Sequence, residues 1–513
     1  MTGERFNLAS WFVDRHVAEG RGDRVALYCG ERRVTYAELS VEVARVGNVL
    51  RELGVRQEER VLLALRDGVE FVASWYAAQK LGAVTAEVYT FLPAKDLAYF
   101  LNYTRAGVVI VDTSTLAAVR EAREMLGPDS PWPRALLVAG ARPEELLGGE
   151  GSYDELVAQA SGELDPAPTR PDDIALWKFT TGSTGMPKAC VHRTVTPYLS
   201  FHAYARGVLD IREDDIVLPV PKLFFGYARD LAALYPFGAG GAGIVFPERP
   251  TPELLFELAG RFKPTILVNV PTMIRAMLEA PSDLSSLRLC TSAGEALPVA
   301  LHERWTSRFG VELLDGIGSS EAYHIYISSR PGRVQPGRLG EVVPGYRARV
   351  VDESGLEVAD GETGRLWVSG ETTALMYWDA REKSVETYAG DTVMSGDLFA
   401  RHADGFFEYR GRADDMLKVG GIWVAPQEIE RCLTGHPDVA DCAVVGYLED
   451  GLELPRAFVM LRSGAVADPA ALQSFVKGAL SPHKYPRDVR FVDELPRTGS
   501  GKVDRRALRE RAD

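Results

Sequence analysis

From about residue 20 to 330, short apolar runs alternate with segments whose apolar residues recur at helical spacing, and this alternation limits the possible folds most. Arg24-Val-Ala-Leu-Tyr-Cys29, Val61 to Leu65, Gly107 to Asp112, Ile174 to Phe179, Thr265 to Val270, Leu287 to Cys290 and Glu312 to Asp315 read as strands. Between the first two, Tyr36, Leu39, Val43, Val46 and Leu50 fall on one face of a helix over Thr35–Leu53. Strands spaced by helices predict an α/β fold with largely parallel, layered sheets. The proline-rich stretch Ser161–Asp173 reads as a linker between two such layers. After about Pro336 the texture changes to short strands and glycine turns, the mark of a small β-barrel-like unit, and after about Gly411 to a small α+β domain. The expected division is 1–411, with subdomains of about 1–170, 171–335 and 336–411, followed by 412–513.

Acidic residues outnumber basic ones, 72 against 58, which excludes the basic footprint of a non-specific nucleic-acid binder. The most apolar window, Leu231–Phe246, is short for a bilayer and interrupted by Pro236 and glycines, so it reads as core and no membrane association is expected. Five scattered cysteines without CxxC spacing, and a charged amino terminus with no signal-peptide pattern, fit a reducing cytoplasm.

Chemistry concentrates in loops. In Phe179-Thr-Thr-Gly-Ser-Thr-Gly-Met-Pro-Lys188 a strand enters a run of hydroxyls and glycines that closes on a lysine. Glycines allow close backbone approach to an anion, hydroxyls and N–H groups donate to phosphate oxygens, and Lys188 adds a compact positive charge. The spacing is not that of a Walker A loop. Thr180, Thr181, Gly182, Ser183, Thr184, Gly185 and Lys188 are therefore candidate nucleotide contacts.

This loop resembles the phosphate-binding loop of the adenylate-forming superfamily of acyl-CoA synthetases, adenylation domains and luciferases, and five further segments resemble that family in the right order. Thr291-Ser-Ala-Gly-Glu-Ala-Leu-Pro298 is similar to the adenine-contact segment, through Gly294, Glu295 and Ala296. Asp315-Gly-Ile-Gly-Ser-Ser-Glu321 resembles the stretch meeting adenine, α-phosphate and magnesium, through Asp315, Gly316, Ile317, Ser320 and Glu321. Ser395-Gly-Asp397 resembles the ribose-binding motif, Tyr409 to Lys418 the hinge, and Arg497-Thr-Gly-Ser-Gly-Lys502 the carboxy-terminal lysine motif.

The resemblance implies an ATP-dependent reaction in which a carboxylate attacks the α-phosphorus to give acyl-AMP, followed by transfer to a thiol. Positioning and charge stabilisation carry such a step. It implies that Lys502 reaches the α-phosphate and carboxylate oxygens, aided by Thr184, and that Glu321 holds Mg²⁺. It implies that Asp397 and Arg412 meet the ribose, and that the small domain turns about Asp414 between half-reactions. Gly420 and Gly421 would then border a tunnel for the pantetheine arm of CoA or of a carrier protein.

The segments Lys222-Leu-Phe-Phe-Gly-Tyr227, Leu289 to Pro298, Leu314 to Glu321 and Asp415 to Val419 look most like the benzoate–CoA ligase branch. An α-amino acid pocket would carry Phe-Asp where Phe225-Gly226 stands, so the charge that pairs with a substrate ammonium is missing. By this resemblance Phe225, Gly226, Tyr227, Gly318, Ser319, His324 and Ile325 line the acyl pocket, whose flat apolar walls suit a benzene ring. His324 either orients the carboxylate, bonds an ortho hydroxyl or amino group, or packs beside the loop. Two features depart from the branch: Ala189 after Lys188, where glycine is usual, and Arg229-Asp230 after the tyrosine, where small or neutral residues are commoner. The expected substrate is benzoate or a hydroxy- or aminobenzoate and the expected acceptor CoA. A carrier protein, a hydroxyl or amine acceptor, and a non-catalytic binding relative are the alternatives. Lys484 and Arg487 are candidate contacts to the CoA nucleotide on charge alone.

Overall fold

The computed structural model describes residues 5–127, 130, 132–180, 186–280, 283–415, 417–419, 422–449, 452–481, 484–498 and 502–511, with the backbone alone at 414, 418, 422 and 423. The chain forms two compact units, one of residues 1–336, 340–347 and 368–393, the other of 337–339, 348–367 and 394–513.

The first unit is α/β, as the alternation predicts. One sheet has eight strands in the order Met376–Tyr377, Lys188–Arg193, Ile174–Thr180, Val84–Glu87, Arg60–Ala64, Val108–Asp112, Ala135–Ala139 and Glu150–Ser152. Its interior pairings are parallel, and the hairpin Ile174–Thr180/Lys188–Arg193 and the edge strand Met376–Tyr377 are antiparallel. A second sheet of nine strands has a parallel core from Glu312–Gly318 through Leu289–Ser292, Ile266–Asn269, Ile216–Pro219 and Ala242–Val245 to Val25–Cys29. Buried on both faces, these strands read as continuous apolar runs. The helix expected near Thr35 spans Tyr36–Glu52 and opens on a capping box in which Thr35 and Glu38 satisfy each other's backbone N–H groups.

Sheet membership does not follow the cut near residue 170: Val25–Cys29 lies beside Ala242–Val245, and Ile174–Thr180 beside Val84–Glu87. Periodicity identifies a strand, but pairing partners are long-range. The apolar window Leu231–Phe246 is core, with Leu231, Tyr235, Phe237, Ile244 and Val245 fully buried. No helix among the described residues is long and apolar enough to cross a membrane.

Short strands follow, as the change of texture near Pro336 predicts: Tyr346–Val351, Thr363–Gly370, Tyr388–Ala389, Thr392–Arg401 and Phe407–Arg412 make a five-stranded sheet. The carboxy-terminal part is α+β. Val439–Glu449, Leu452–Leu461 and Asp488–Phe491 form a sheet whose apolar face, with Val444, Ala457 and Val459, packs on Ile429 and Leu433 of helix Pro426–Thr434 and on Leu472 and Val476 of helix Pro469–Ala479. Cys190, Cys290 and Cys442 are buried, and Cys29 and Cys432 are partly buried.

Candidate active site

The phosphate-loop candidates sit on a hairpin. Ile174–Thr180 pairs with Lys188–Arg193 so that Thr180 faces Lys188. Thr181, Gly182, Ser183, Thr184 and Gly185, at its tip, lie outside the described residues. The loop's exit is anchored by Tyr99, whose hydroxyl donates to the Pro187 carbonyl at 2.6 Å. Ala189 is fully buried in a regular strand opposite Phe179, and it belongs to the same apolar core as Trp177 and Val191. The departure from glycine there is a packing choice, and no glycine-only backbone conformation is needed.

Parallel pairing of Leu289–Ser292 with Glu312–Gly318 sets Ser292 opposite Asp315, so the two candidate adenine segments leave adjacent strands at their carboxyl ends. Ligands of open α/β sheets bind at such ends. Gly294 adopts φ +90°, a conformation glycine takes freely, and the carboxylate of Glu295 accepts from Thr272 Oγ1 at 3.0 Å. Burial pushes the Asp315 carboxyl up to about 8, against the Gly316 N–H that donates to it at 3.1 Å and the Ser292 hydroxyl.

Ser320 donates from its hydroxyl to the Phe179 carbonyl at 3.1 Å, tying its segment to the strand that enters the phosphate loop. Behind it His192 is buried; desolvation drives its pKa down to about 3, so it stays neutral with Nε2 2.7 Å from the Ser320 carbonyl. Glu321 accepts from the Tyr377 hydroxyl at 2.6 Å and is partly exposed. No group of three His, Cys, Asp or Glu suited to a metal ion occurs among the described residues. A lone carboxylate fits Mg²⁺ all the same, because that ion is typically held by one or two carboxylates, substrate phosphates and water.

The acyl-pocket candidates gather around helix Gly226–Ala233 and the turn before strand Ile325–Ser328. Phe225 packs against Phe224 and Tyr89, with centroids 4.8 and 5.0 Å away, and the Tyr227 hydroxyl meets Thr291 Oγ1 at 2.7 Å. Gly318 pairs with Ile325, and a Cβ on it would lie 2.4 Å from the His324 carbonyl oxygen, so only glycine fits. The Ala322 N–H donates to Ser319 Oγ at 3.3 Å.

His324 is only 4% exposed, boxed by Tyr204, Tyr235 and Tyr227 at 5.4, 5.0 and 5.8 Å between centroids. Desolvation lowers its pKa to about 3, so the ring is neutral. Nε2 lies 3.4 Å from the Tyr227 carbonyl, while buried Nδ1 has no hydrogen-bond partner among the described residues. The tautomer that serves the carbonyl carries its proton on Nε2 and leaves Nδ1 as an acceptor.

Beneath this wall lies a feature that the motifs do not flag. Arg229 donates from Nη1 to Glu87 at 2.7 Å and from Nη2 and Nε to Asp230 Oδ1 at 2.8 and 3.0 Å. Asp230 Oδ2 accepts from Lys178 Nζ at 2.6 Å, and the same ammonium donates to the Tyr323 carbonyl at 2.6 Å. All four charged side chains are at most 5% exposed. Burial alone would raise the Asp230 carboxyl, but Arg229 and Lys178 bring it to about 2; burial lowers the Lys178 ammonium to about 8, against the pull of Asp230. Asp230 is thus already paired twice, which is why it cannot serve a substrate ammonium. The signal in the sequence is Lys178 itself, a charge inside the apolar run Ile174-Ala-Leu-Trp-Lys-Phe179.

In the second unit, antiparallel pairing of Thr392–Arg401 with Phe407–Arg412 puts Asp397 opposite Arg412, and the two ion-pair at 3.2 Å. Ser395 Oγ accepts from the Asp397 N–H at 3.2 Å. Asp414 lies in the single turn Ala413–Asp415, and the neighbouring Asp415 is bound by Arg509 at 2.9 Å. Gly420 and Gly421 lie outside the described residues. Lys502 is exposed, and its carbonyl accepts from the Thr498 N–H at 2.7 Å, closing the turn that carries it. Lys484 is paired with Glu428 at 2.7 Å, and Arg487 stacks on Tyr485 at 3.6 Å, so both proposed CoA contacts have partners within their own domain.

Residues 14–378 match the family model described as AMP-binding enzyme, and residues 428–502 that of the AMP-binding enzyme C-terminal domain. The benzoate–CoA ligase of Thauera aromatica is 41% identical, the match covering 99% of this chain and 96% of that protein. The 4-hydroxybenzoate–CoA/benzoate–CoA ligase of Rhodopseudomonas palustris is 40% identical over 98% of this chain and 94% of its own. A crystal structure of the anthranilate CoA ligase AuaEII with anthranoyl-AMP matches with a TM-score of 0.93 at 36% identity, covering 99% of this chain and 97% of that one.

Proposed function

The chain belongs to the AMP-binding, adenylate-forming enzymes, in the benzoate–CoA ligase branch, and on that premise we propose that it joins benzoate or a hydroxy- or aminobenzoate to coenzyme A, driven by ATP. The observation that carries the choice of acid is the neutral His324 in its tyrosine box, beside a Gly318 that admits no side chain. Such walls take a flat ring by area burial and edge or face contacts, and have no free anion for an ammonium.

In the first half-reaction a carboxylate oxygen attacks the α-phosphorus, the bond to the β-phosphate bridging oxygen breaks, and pyrophosphate leaves with the electron pair. Thr180, Thr181, Gly182, Ser183, Thr184, Gly185 and Lys188 are assigned to the phosphates, Gly294, Glu295, Ala296, Asp315, Gly316, Ile317 and Ser320 to the adenosine and α-phosphate, and Asp397 with Arg412 to the ribose. When bound, Mg²⁺ would neutralise phosphate charge, and Glu321, held by Tyr377, is the residue to ligate it. Lys502 is assigned the α-phosphate and carboxylate oxygens, on its match to the family's carboxy-terminal lysine. In the second half-reaction the CoA thiol gives up its proton to solvent, its sulfur attacks the acyl carbon, and AMP leaves with the bonding pair. Asp414 is assigned as the pivot between the two, and Gly420 and Gly421 as the border of the pantetheine passage.

The test is pyrophosphate release with a panel of benzoates, followed by product mass with CoA present or omitted. Release with an aryl acid and an aryl-CoA mass are expected. Release without a CoA product would point to a carrier protein, hydroxyl or amine as acceptor, and no release with any aryl acid would sink the proposal. Lys502→Ala should abolish release while ATP still binds; undiminished release would refute its assigned role.

A further inference from the structure

Lys178 joins three pieces of the acyl wall. Its backbone belongs to Ile174–Thr180, the strand that enters the phosphate loop. Its stem fills the space beside Gly226, the first residue of the helix that bears Tyr227: a Cβ built on Gly226 would lie 2.7 Å from both Cε and Nζ and 3.1 Å from Cδ. Its ammonium holds the turn that delivers His324, bonding the Tyr323 carbonyl at 2.6 Å and lying 3.6 Å from the centre of the Tyr323 ring. Tyr323 needs such a hold. It is a buried non-glycine residue at φ +79°, a left-handed conformation that costs energy for a side chain of this size and persists only where the surroundings enforce it.

The remaining charges keep that ammonium in place. Asp230 binds it at 2.6 Å, Arg229 binds Asp230, and Glu87 binds Arg229, giving two positive and two negative groups out of contact with water. A lysine with its stem under Gly226 and its head on the Tyr323 carbonyl fixes the distance between the Gly226 side of the pocket and His324.

We infer that Lys178 is a positioning residue that sets which aryl acids the pocket accepts, by occupying the space beside Gly226 and clamping the Tyr323–His324 turn. The inference rests on the aryl-acid activation proposed above. Lys178 does not touch the reacting atoms in this assignment, and its effect reaches them through Gly226 and His324. Room for a ring substituent on this side of the pocket is then governed by residue 178 as much as by residue 226, so the two positions must be coupled.

The experiment is a double-mutant cycle. Four proteins are compared: wild type, Gly226→Ala, the charge-balanced Lys178→Leu/Asp230→Asn, and the combination of all three substitutions. Acid-dependent pyrophosphate release is measured for benzoate and its hydroxy and amino derivatives, with separate KM values for acid and ATP, and far-ultraviolet circular dichroism checks that each protein is folded. Lys178→Leu/Asp230→Asn should raise the acid KM by roughly tenfold or more, the scale of one lost charged hydrogen bond, and reorder the acids, while KM for ATP stays within about twofold. Gly226→Ala should cost roughly tenfold in kcat/KM in the wild-type background, where its methyl meets Lys178, and less than about threefold in the Lys178→Leu/Asp230→Asn background. Acid and ATP constants that deteriorate together, an unchanged ranking of acids, or an equal Gly226→Ala penalty in both backgrounds would overturn the inference and leave the aryl-acid reading standing. A folded wild type silent with every aryl acid would overturn both.

Discussion

Replacing Arg229 with leucine should destabilise the first unit by about 3–5 kcal/mol, the usual cost of removing one partner from a buried ion pair. The guanidinium supplies three charge-assisted bonds of 2.7, 2.8 and 3.0 Å to Glu87 and Asp230, and no side chain of the three is more than 3% exposed. With Arg229 gone, Lys178 alone faces two carboxylates, leaving one negative charge with neither a counterion nor water. The loss would be a large share of a typical folding stability of about 5–15 kcal/mol. Arg229→Leu/Glu87→Leu removes the opposing pair together and leaves Lys178 with Asp230 in balance. It should recover part of the loss; the remainder reflects Asp230 Oδ1, which loses both of its Arg229 donors, and the Trp75 indole N–H, which donates to Glu87 at 2.5 Å and would lose its acceptor, each at a cost of about 1–3 kcal/mol. Urea unfolding followed by tryptophan fluorescence reads the difference, with the transitions of the two units fitted separately because one two-state fit does not hold for such a chain. A loss below about 1 kcal/mol for Arg229→Leu, or a double variant as unstable as the sum of the singles, would refute charge imbalance as the cause.

Gly318→Ala would place a methyl 2.4 Å from the His324 carbonyl, and displacement of that backbone should reduce acid-dependent pyrophosphate release by roughly tenfold to a hundredfold; wild-type rates would show that the turn can yield. Tyr377→Phe removes the 2.6 Å bond to Glu321 and should shift the Mg²⁺ concentration needed for half-maximal release by a few-fold up to roughly tenfold, so an unchanged magnesium titration would separate Glu321 from the metal. Asp315 holds its proton in the fold up to about 8, where the unfolded carboxyl, at its ordinary value of 3.8, has already lost it. The folded state therefore binds the extra proton between those limits, and its stability falls as pH rises through that window. In Asp315→Asn the drop in thermal midpoint between about pH 5 and about pH 8.5 should shrink, with a residual slope of the same sign from Asp67, raised by burial to about 7; an unaltered slope would place the titration elsewhere.

What the sequence made legible is local. Tyr36, Leu39, Val43, Val46 and Leu50 mark their helix because a buried stripe must recur every three or four residues, and all five are fully buried. The segments around Gly294, Asp315 and Asp397 could be recognised because each is a short contiguous stretch in which a strand ends and a turn presents small or polar residues. Strand partners were not legible. Nothing near Val25–Cys29 specifies Ala242–Val245 as its neighbour, because parallel pairing is made by packing over long sequence separations.

The charge cluster shows the same limit in chemical terms. Lys178, Asp230 and Glu87 are each unremarkable or puzzling alone, and only the reach of side chains from two parallel strands to helix Gly226–Ala233 turns them into a neutral set around Arg229. The Arg229-Asp230 pair, which departs from the branch, therefore belongs with the lysine at 178 and the glycine at 226. A lysine beneath the wall requires a counterion because a buried lone ammonium would lose its charge, and it favours glycine because a methyl at 226 would push Cε and Nζ from the place where Asp230 and Tyr323 hold them. Four positions that look independent along the chain are thus constrained together, and the constraint passes through the Tyr323 carbonyl to His324, the histidine proposed for the acyl pocket.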